Sequence, residues 1–131
     1  MTTPVIRLAT SADSDAILGI YAPYIDTSIT FEEEVPAREA FQARTDGVLS
    51  SHPYLVAEFD GKVVGYAYAH ELRERGAGFK SGQWHDVTWY VKFLTDRFED
   101  DPASPVPFPL LCDQQPQAVK DILDRANSSL R

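Results

Sequence analysis

Cysteine is almost absent from these 131 residues: Cys112 stands alone, so no disulfide can close within the chain and no cysteine-based structural zinc site can form. A reducing, cytoplasmic compartment is the expectation that follows. Long hydrophobic runs are also lacking, since no window approaches the roughly eighteen apolar residues a membrane span requires. The start, MTTPVIRLAT, has no basic region followed by an apolar stretch, so neither a signal peptide nor a membrane anchor is expected. Positive charge is scarce too. Against 20 Asp and Glu stand only 12 Lys and Arg, a formal charge of −8. That balance argues against duplex nucleic acid or an anionic membrane as the main partner, because both require a basic face.

What is present suits one folded domain, with 44% hydrophobic, 11% aromatic and 24% charged residues. The charge is unevenly divided. Residues 1–69 hold four basic and ten acidic side chains, and residues 70–131 hold eight and ten, so an anion site is expected after position 70. No repeat of twenty residues or more is visible.

Val5–Ala9 reads as a strand that ends at Thr10, where T-S-A-D offers a Thr10/Asp13 capping box for a helix. In that helix Ala16, Ile17, Ile20, Tyr21 and Tyr24 recur at spacings of three and four, and Pro23 should disturb the last turn. DTSITFEEEVP reads as an extended loop. Ala37–Leu49 predicts a second helix with Ala40, Phe41, Val48 and Leu49 inward. The strongest local signal is PYLVAEFDGKVVGYAYAH. Asp60-Gly61 supplies the positive φ values of a two-residue turn, so Tyr54–Phe59 and Lys62–His70 should pair as a hairpin, with a bulge or close approach at Gly65.

Glu71–Gln83 carries glycines and charges without periodicity and reads as a flexible loop. Val87, Trp89, Val91 and Phe93 then alternate with polar residues, predicting a strand over Trp84–Leu94 that folds back beside Lys62–His70. Five of the nine prolines fall in Pro102–Pro116 and mark an extended stretch, and Val119, Ile122, Leu123 and Ala126 predict a short amphipathic helix.

Several side chains could carry chemistry, each beside a plainer role. His52, His70 and His85 lie in separate segments without a second ligand at helical or turn spacing, so no metal site is expected. His85-Asp86 beside Trp84 could be a general base with its orienting carboxylate, or polar residues at a strand entry. Glu32-Glu33-Glu34 is either a solvated acidic loop or a rim that attracts an amine. Arg73 and Arg75, at alternate positions, could grip an anion together or simply decorate a loop. Cys112 has no nearby basic partner to make it reactive, and neither a serine nucleophile elbow nor a Walker phosphate loop occurs.

The order and spacing of these pieces resemble the GNAT acetyltransferases, specifically the phosphinothricin (L-amino acid) N-acetyltransferase branch. The residues that carry this are Arg7–Ala9, Asp13, Ile20, Tyr21 and Tyr24, Thr30–Glu32, Pro36, and VVGYAYA at Val63–Ala69, almost without a gap from Ile6 to about Arg75. A second block, GFKSGQWHDVTWYVKFL at Gly78–Leu94, is similar to the branch's C-terminal strand with its G.W.DV.W signature. The resemblance implies acetyl-CoA as cosubstrate and the amino group of a small amino-acid-like substrate as acceptor. It implies a substrate-binding set of Phe31, Glu32, Arg73, Arg75, Trp84, His85 and Asp86, with the arginines on an anionic group of the ligand.

Between the two blocks the family carries a strand and a helix-opening R/Q-x-x-G-x-G/A turn, whose backbone N–H groups hold the pyrophosphate of acetyl-CoA. Gly76-Ala77-Gly78 is not read as that turn, because no strand of the right kind precedes it and no helix is expected after it. The family's central acidic general base belongs to the same missing strand, so no residue here inherits the cofactor-binding role, and the catalytic residue is left unassigned.

The expected fold is therefore α/β (α+β): a truncated GNAT-like domain over residues 1–94, with a small, mainly antiparallel sheet and two helices packed on it. An acidic, Pro-rich C-terminal tail follows over residues 95–131. Activity is expected to be impaired. The alternatives are a non-catalytic ligand-binding or interaction module, the product of a shortened or misread gene, or a sheet completed by a partner chain. An exposed sheet edge would favour a homodimer, unless the tail helix covers the edge of its own sheet.

Overall fold

A computed structural model of the chain describes residues 3–70, 78–85 and 106–130. The chain opens as strand β1 (Val5–Leu8), turns through a short 3-10 segment at Ser11–Asp13 and enters helix α1 (Ser14–Tyr21). The expected cap is present in its acidic half: the Asp13 carboxylate accepts the Thr10 N–H at 2.8 Å. Pro23 lies in a second 3-10 turn, Ala22–Tyr24, where its missing N–H costs no α-helical bond.

The inward face of α1 is rotated from the expected one. Ser14, Ile17 and Leu18 are buried, with Tyr21 packed beside them, whereas Ala16 and Tyr24 are exposed. Leu18 takes the place expected for Ala16 because the larger apolar side chain gains more from leaving water. Helix α2 (Arg38–Leu49) buries Phe41 and Thr45 and half-buries Val48 and Leu49, but Ala40 faces solvent. Thr45 is tolerated inside because its hydroxyl donates to the Phe41 carbonyl at 3.1 Å. Tyr21 stacks on Phe41 with centroids 5.8 Å apart, joining the two helices.

Strands β2 (Tyr54–Phe59) and β3 (Lys62–Tyr68) form the expected hairpin, with positive φ at both Asp60 and Gly61. Pairing is in register from Tyr54↔Tyr68 to Ala57↔Gly65, then shifts to Glu58↔Val63, which leaves Val64 as the extra residue of a β-bulge. Of the two features expected at Gly65, the bulge is the one observed; a Cβ there would meet only the Ala57 Cβ, at an ordinary contact distance of 3.7 Å. β1 pairs antiparallel with β2, and the described sheet runs β1-β2-β3. Val56, Tyr54 and Ala9 meet Ile17, Leu18 and Phe41 in the core.

Three expectations need correction. Glu71–Gln83 is not loop throughout: β4 (Gly78–Lys80) and β5 (Gln83–His85) form a tight hairpin around Ser81 and Gly82, both at positive φ. Trp84 and His85 therefore pair with β4, and the rest of the predicted Trp84–Leu94 strand lies outside the described residues. Within the proline-rich stretch, Phe108–Gln114 is helix α3, because Pro107 caps it and Pro109 falls in the first turn, where no N–H is required.

Helix α4 (Pro116–Ser128) follows and is longer than expected. It docks on the free side of β1, where Asn127 accepts from the Ile6 N–H at 2.6 Å and donates to the Ile6 carbonyl at 2.9 Å. The tail thus covers the β1 edge of its own sheet, whereas the edge expected to be open or covered lies on the opposite side, at β3.

Candidate functional site

The loop between α1 and α2 carries two of the expected site residues, Phe31 and Glu32, and it is held from three directions. Below it, the Tyr21 phenol donates to Glu32 at 2.7 Å and sits 2.6 Å from the Thr30 hydroxyl. From α2, Arg44 pairs with the other Glu32 oxygen. From the β4–β5 hairpin, the buried Lys80 ammonium donates to the carbonyls of Ile25, Thr27 and Thr30. Thr30 in turn accepts the Glu32 N–H at 3.2 Å.

These contacts set the protonation states. Burial pushes the Glu32 carboxyl up, but the hydrogen bonds from Tyr21 and Arg44, with the charges of Arg44 and Lys80, outweigh it. The net direction is downward, so Glu32 is a carboxylate at neutral pH. Burial, followed by the neighbouring Glu32 charge, raises the Tyr21 phenol against the opposing Thr30 contact and keeps it a neutral donor. A carboxylate has about four lone-pair positions. Glu32 has one partner on each oxygen among the described residues, so not all of its lone pairs are used.

The sheet carries an aromatic wall, and its Tyr66 is close enough to Tyr21 and Tyr24 for their phenols to influence one another. Tyr54 and Tyr68 stack at 4.9 Å, with Tyr66 at 6.1 Å from Tyr54 and 6.5 Å from Tyr68, and His70 meets Tyr68 edge-on. Burial first, then mutual repulsion of the phenols, raises both Tyr54 and Tyr66. Phe31 is 42% exposed at the loop's outer side.

The remaining expected residues are only partly placed. Trp84 and His85 occupy backbone positions on β5, in the same hairpin as Lys80. Arg73, Arg75 and Asp86 lie outside the described residues. Arg44 and Lys80 are not among the expected site residues, and Tyr21 and Thr30 are family markers that here prove to be partners of Glu32 or its loop. No group of His, Cys, Asp and Glu among the described residues could hold a metal ion. No helix among them is long and apolar enough to cross a membrane.

Residues 6–101 match the family described as the Acetyltransferase (GNAT) domain. The chain belongs to the GNAT acetyltransferase family. It is 45% identical over 74 residues to the phosphinothricin N-acetyltransferase of Alcaligenes faecalis, covering 55% of this chain and 38% of that protein. It is 37% identical over 73 residues to the enzyme of the same name from Streptomyces viridochromogenes, covering 55% and 40%. This GNAT chain therefore spans about two fifths of the length of the curated relatives it matches.

Among solved structures, an N-acetyltransferase from Staphylococcus aureus Mu50 aligns with a TM-score of 0.46 and 26% identity, over 53% of this chain and 44% of that one. Salmonella typhimurium yncA, solved with its cofactor acetyl-CoA, aligns with a TM-score of 0.47 and 29% identity, over 55% and 43%.

The GNAT fold here is partial, with a three-stranded antiparallel sheet and four helices among the described residues. The family's phosphate-binding turn opens a helix, but Gly78 here begins strand β4. Residues 71–77, which precede it, lie outside the described residues.

Proposed function

We propose that this chain presents the acceptor side of an acetyl-CoA-dependent N-acetyltransferase and binds a small amino-acid-like amine of the phosphinothricin type. The observation that carries the reading is the Tyr21–Thr30–Glu32–Arg44 network, which lies inside the segment shared with the GNAT family. A charged carboxylate held beside aromatic side chains suits an amine substrate, because it stabilises the ammonium on binding and the aromatic wall contributes contact area. Phe31, Glu32, Arg73, Arg75, Trp84, His85 and Asp86 are the proposed binding set, with the arginines placed on the anionic end of the ligand.

Acyl transfer needs a deprotonated amine, a polarised thioester carbonyl and near-attack alignment of the two. In this reading the Glu32 carboxylate is the place for the amine. The described residues supply neither the helix-opening turn for the donor nor a base for the amine, so acetyl transfer by this chain is proposed to be weak or lost. In this reading residues 1–94 form the acceptor domain and residues 95–131 the tail, in a cytoplasmic protein. A second copy pairing along the edge of β3 is the partner proposed with it, and sedimentation reads that directly.

The second reading is a non-catalytic ligand-binding module, favoured by the strand that follows Gly78. Calorimetry tests the binding that both readings share, and a product assay for acetylated phosphinothricin separates them, since residual transfer belongs to the first alone. Titration with phosphinothricin should release heat of binding, and titration with acetyl-CoA should not. Micromolar binding of acetyl-CoA together with acetylated product would overturn the impairment, and silence with both ligands would overturn the acceptor reading.

A further inference from the structure

Lys80 is outside the proposed binding set, yet it is only 4% exposed. Burying an ammonium is costly unless its donors are matched to acceptors. Three acceptors come from one stretch of chain: Lys80 reaches the carbonyls of Ile25, of Thr27 at 2.9 Å and of Thr30 at 2.9 Å. Carbonyl dipoles that converge on one point repel each other, so this loop conformation needs a cation at its centre. Ile25, itself buried, anchors one end of the loop, and the Thr30 hydroxyl at the other end meets both the Tyr21 phenol and the Glu32 N–H.

The source of the cation is also specific. Positive φ at Ser81 and Gly82 turns the β4–β5 hairpin tightly and leaves Lys80 at the end of β4. That hairpin lies in the second block of family resemblance and the loop in the first, so this one side chain ties the two blocks together.

We infer that Lys80 is the positioning residue of the acceptor loop: its ammonium gathers the carbonyls of residues 25, 27 and 30 and thereby fixes Thr30 and the orientation of Glu32. The functional consequence rests on the acceptor-side reading, whereas the positioning contact does not. Lys80→Met keeps the aliphatic stem and removes the cation. In amide exchange, the N–H groups of Thr27, Ile29 and Glu32 should exchange about tenfold faster than in the unaltered chain, while Val56 in the core keeps its protection. Equal loop protection in both proteins would overturn the inference.

Chemical rescue adds a readout that simple packing would not move. In Lys80→Ala, n-butylammonium should restore loop protection, and n-butanol at the same concentration should not; equal rescue by the two overturns the cation's role. A measurement on the unaltered chain stands even if both variants fail to fold. By ¹⁵N-resolved NMR the Lys80 ammonium protons should exchange slowly with water, and exchange as fast as at Lys62 and Lys120 overturns the inference.

Phosphinothricin calorimetry then separates the two levels. If the unaltered chain does not bind while Lys80 controls loop exchange, the acceptor reading fails and the positioning contact stands. If the unaltered chain binds and Lys80→Met binds equally well, the proposed effect on Glu32 is wrong.

Discussion

Ile17 and Val56 are the side chains most completely sealed from water, and both belong to the body built from β1–β3, α1 and α2, whereas α3 and α4 bury no residue. The body is held by an apolar core with a bidentate Arg7–Asp13 pair at its margin, at 2.7 and 2.9 Å. The tail is held by backbone and amide contacts: the Phe108 N–H on the Ser51 carbonyl at 2.8 Å, and Asn127 on both polar groups of Ile6. Packing fixes a region cooperatively, because each side chain depends on the others. Hydrogen bonds to a free strand edge fix an address and contribute little net stability, since water offers the same bonds when they break.

The sharpest way to break this contrast is to open the core. Ile17→Ala should destabilise the body by about 2–5 kcal/mol, through lost transfer energy and the cavity left behind. Urea unfolding followed by near-ultraviolet circular dichroism measures it. A loss below about 1 kcal/mol would mean that the core is not what holds the body.

Next in size is the polar margin of the body. The Arg7 hydrogen bonds hold the Asp13 carboxyl well below the usual range, overcoming burial that pushes it up, with help from Thr10. A carboxyl lowered by folding contributes stability that is fully present above its unfolded value, about 3.9, and is lost as pH falls through the folded value. Asp13→Asn should therefore cost about 1–3 kcal/mol at neutral pH, and the gap to the unaltered chain should close as pH falls below about 4. A gap constant down to pH 2 would detach Asp13 from the acid limb.

The same contrast explains which features were legible beforehand. The Asp60-Gly61 hairpin was readable because a turn that needs two positive φ values leaves a distinct dipeptide, and the bulge region was marked by Gly65. Helix α3 was hidden because its prolines suggest extended chain, although Pro107 and Pro109 occupy positions a helix start accepts. The β4–β5 hairpin was hidden because Ser81-Gly82 is a weaker turn signal and its strands are too short to show alternation. At the site, Phe31 and Glu32 were legible through family resemblance. Lys80 was not, since its partners are backbone carbonyls about fifty residues away and no side-chain pattern reports them.

A smaller effect tests the tail's address. Asn127→Ala removes both bonds to Ile6 and should cost about 1 kcal/mol. Its clearer signature is association: the freed N–H and C=O of Ile6 on the outer edge of β1 form a template for another strand. Sedimentation velocity should show concentration-dependent association beyond that of the unaltered chain at the same concentration, because a second sheet edge is then open. If Asn127→Ala stays in the same state and its Ile6 amide remains protected, α4 is held by contacts other than this pair.

The smallest expected effect lies on the exposed face of α4. Lys120 and Asp124 pair at 2.6 Å one helical turn apart, and Asp124 raises the Lys120 ammonium. Both side chains remain mostly in water, where solvent and salt weaken the attraction. The order along the helix, cation before anion, is also the less favourable one. Lys120→Ala should leave the melting temperature unchanged within error, and added salt should not separate the two proteins. A drop of several degrees would show that α4 depends on its own helical stability for docking, and the tail would then be a cooperative part of the body rather than a segment held at one edge.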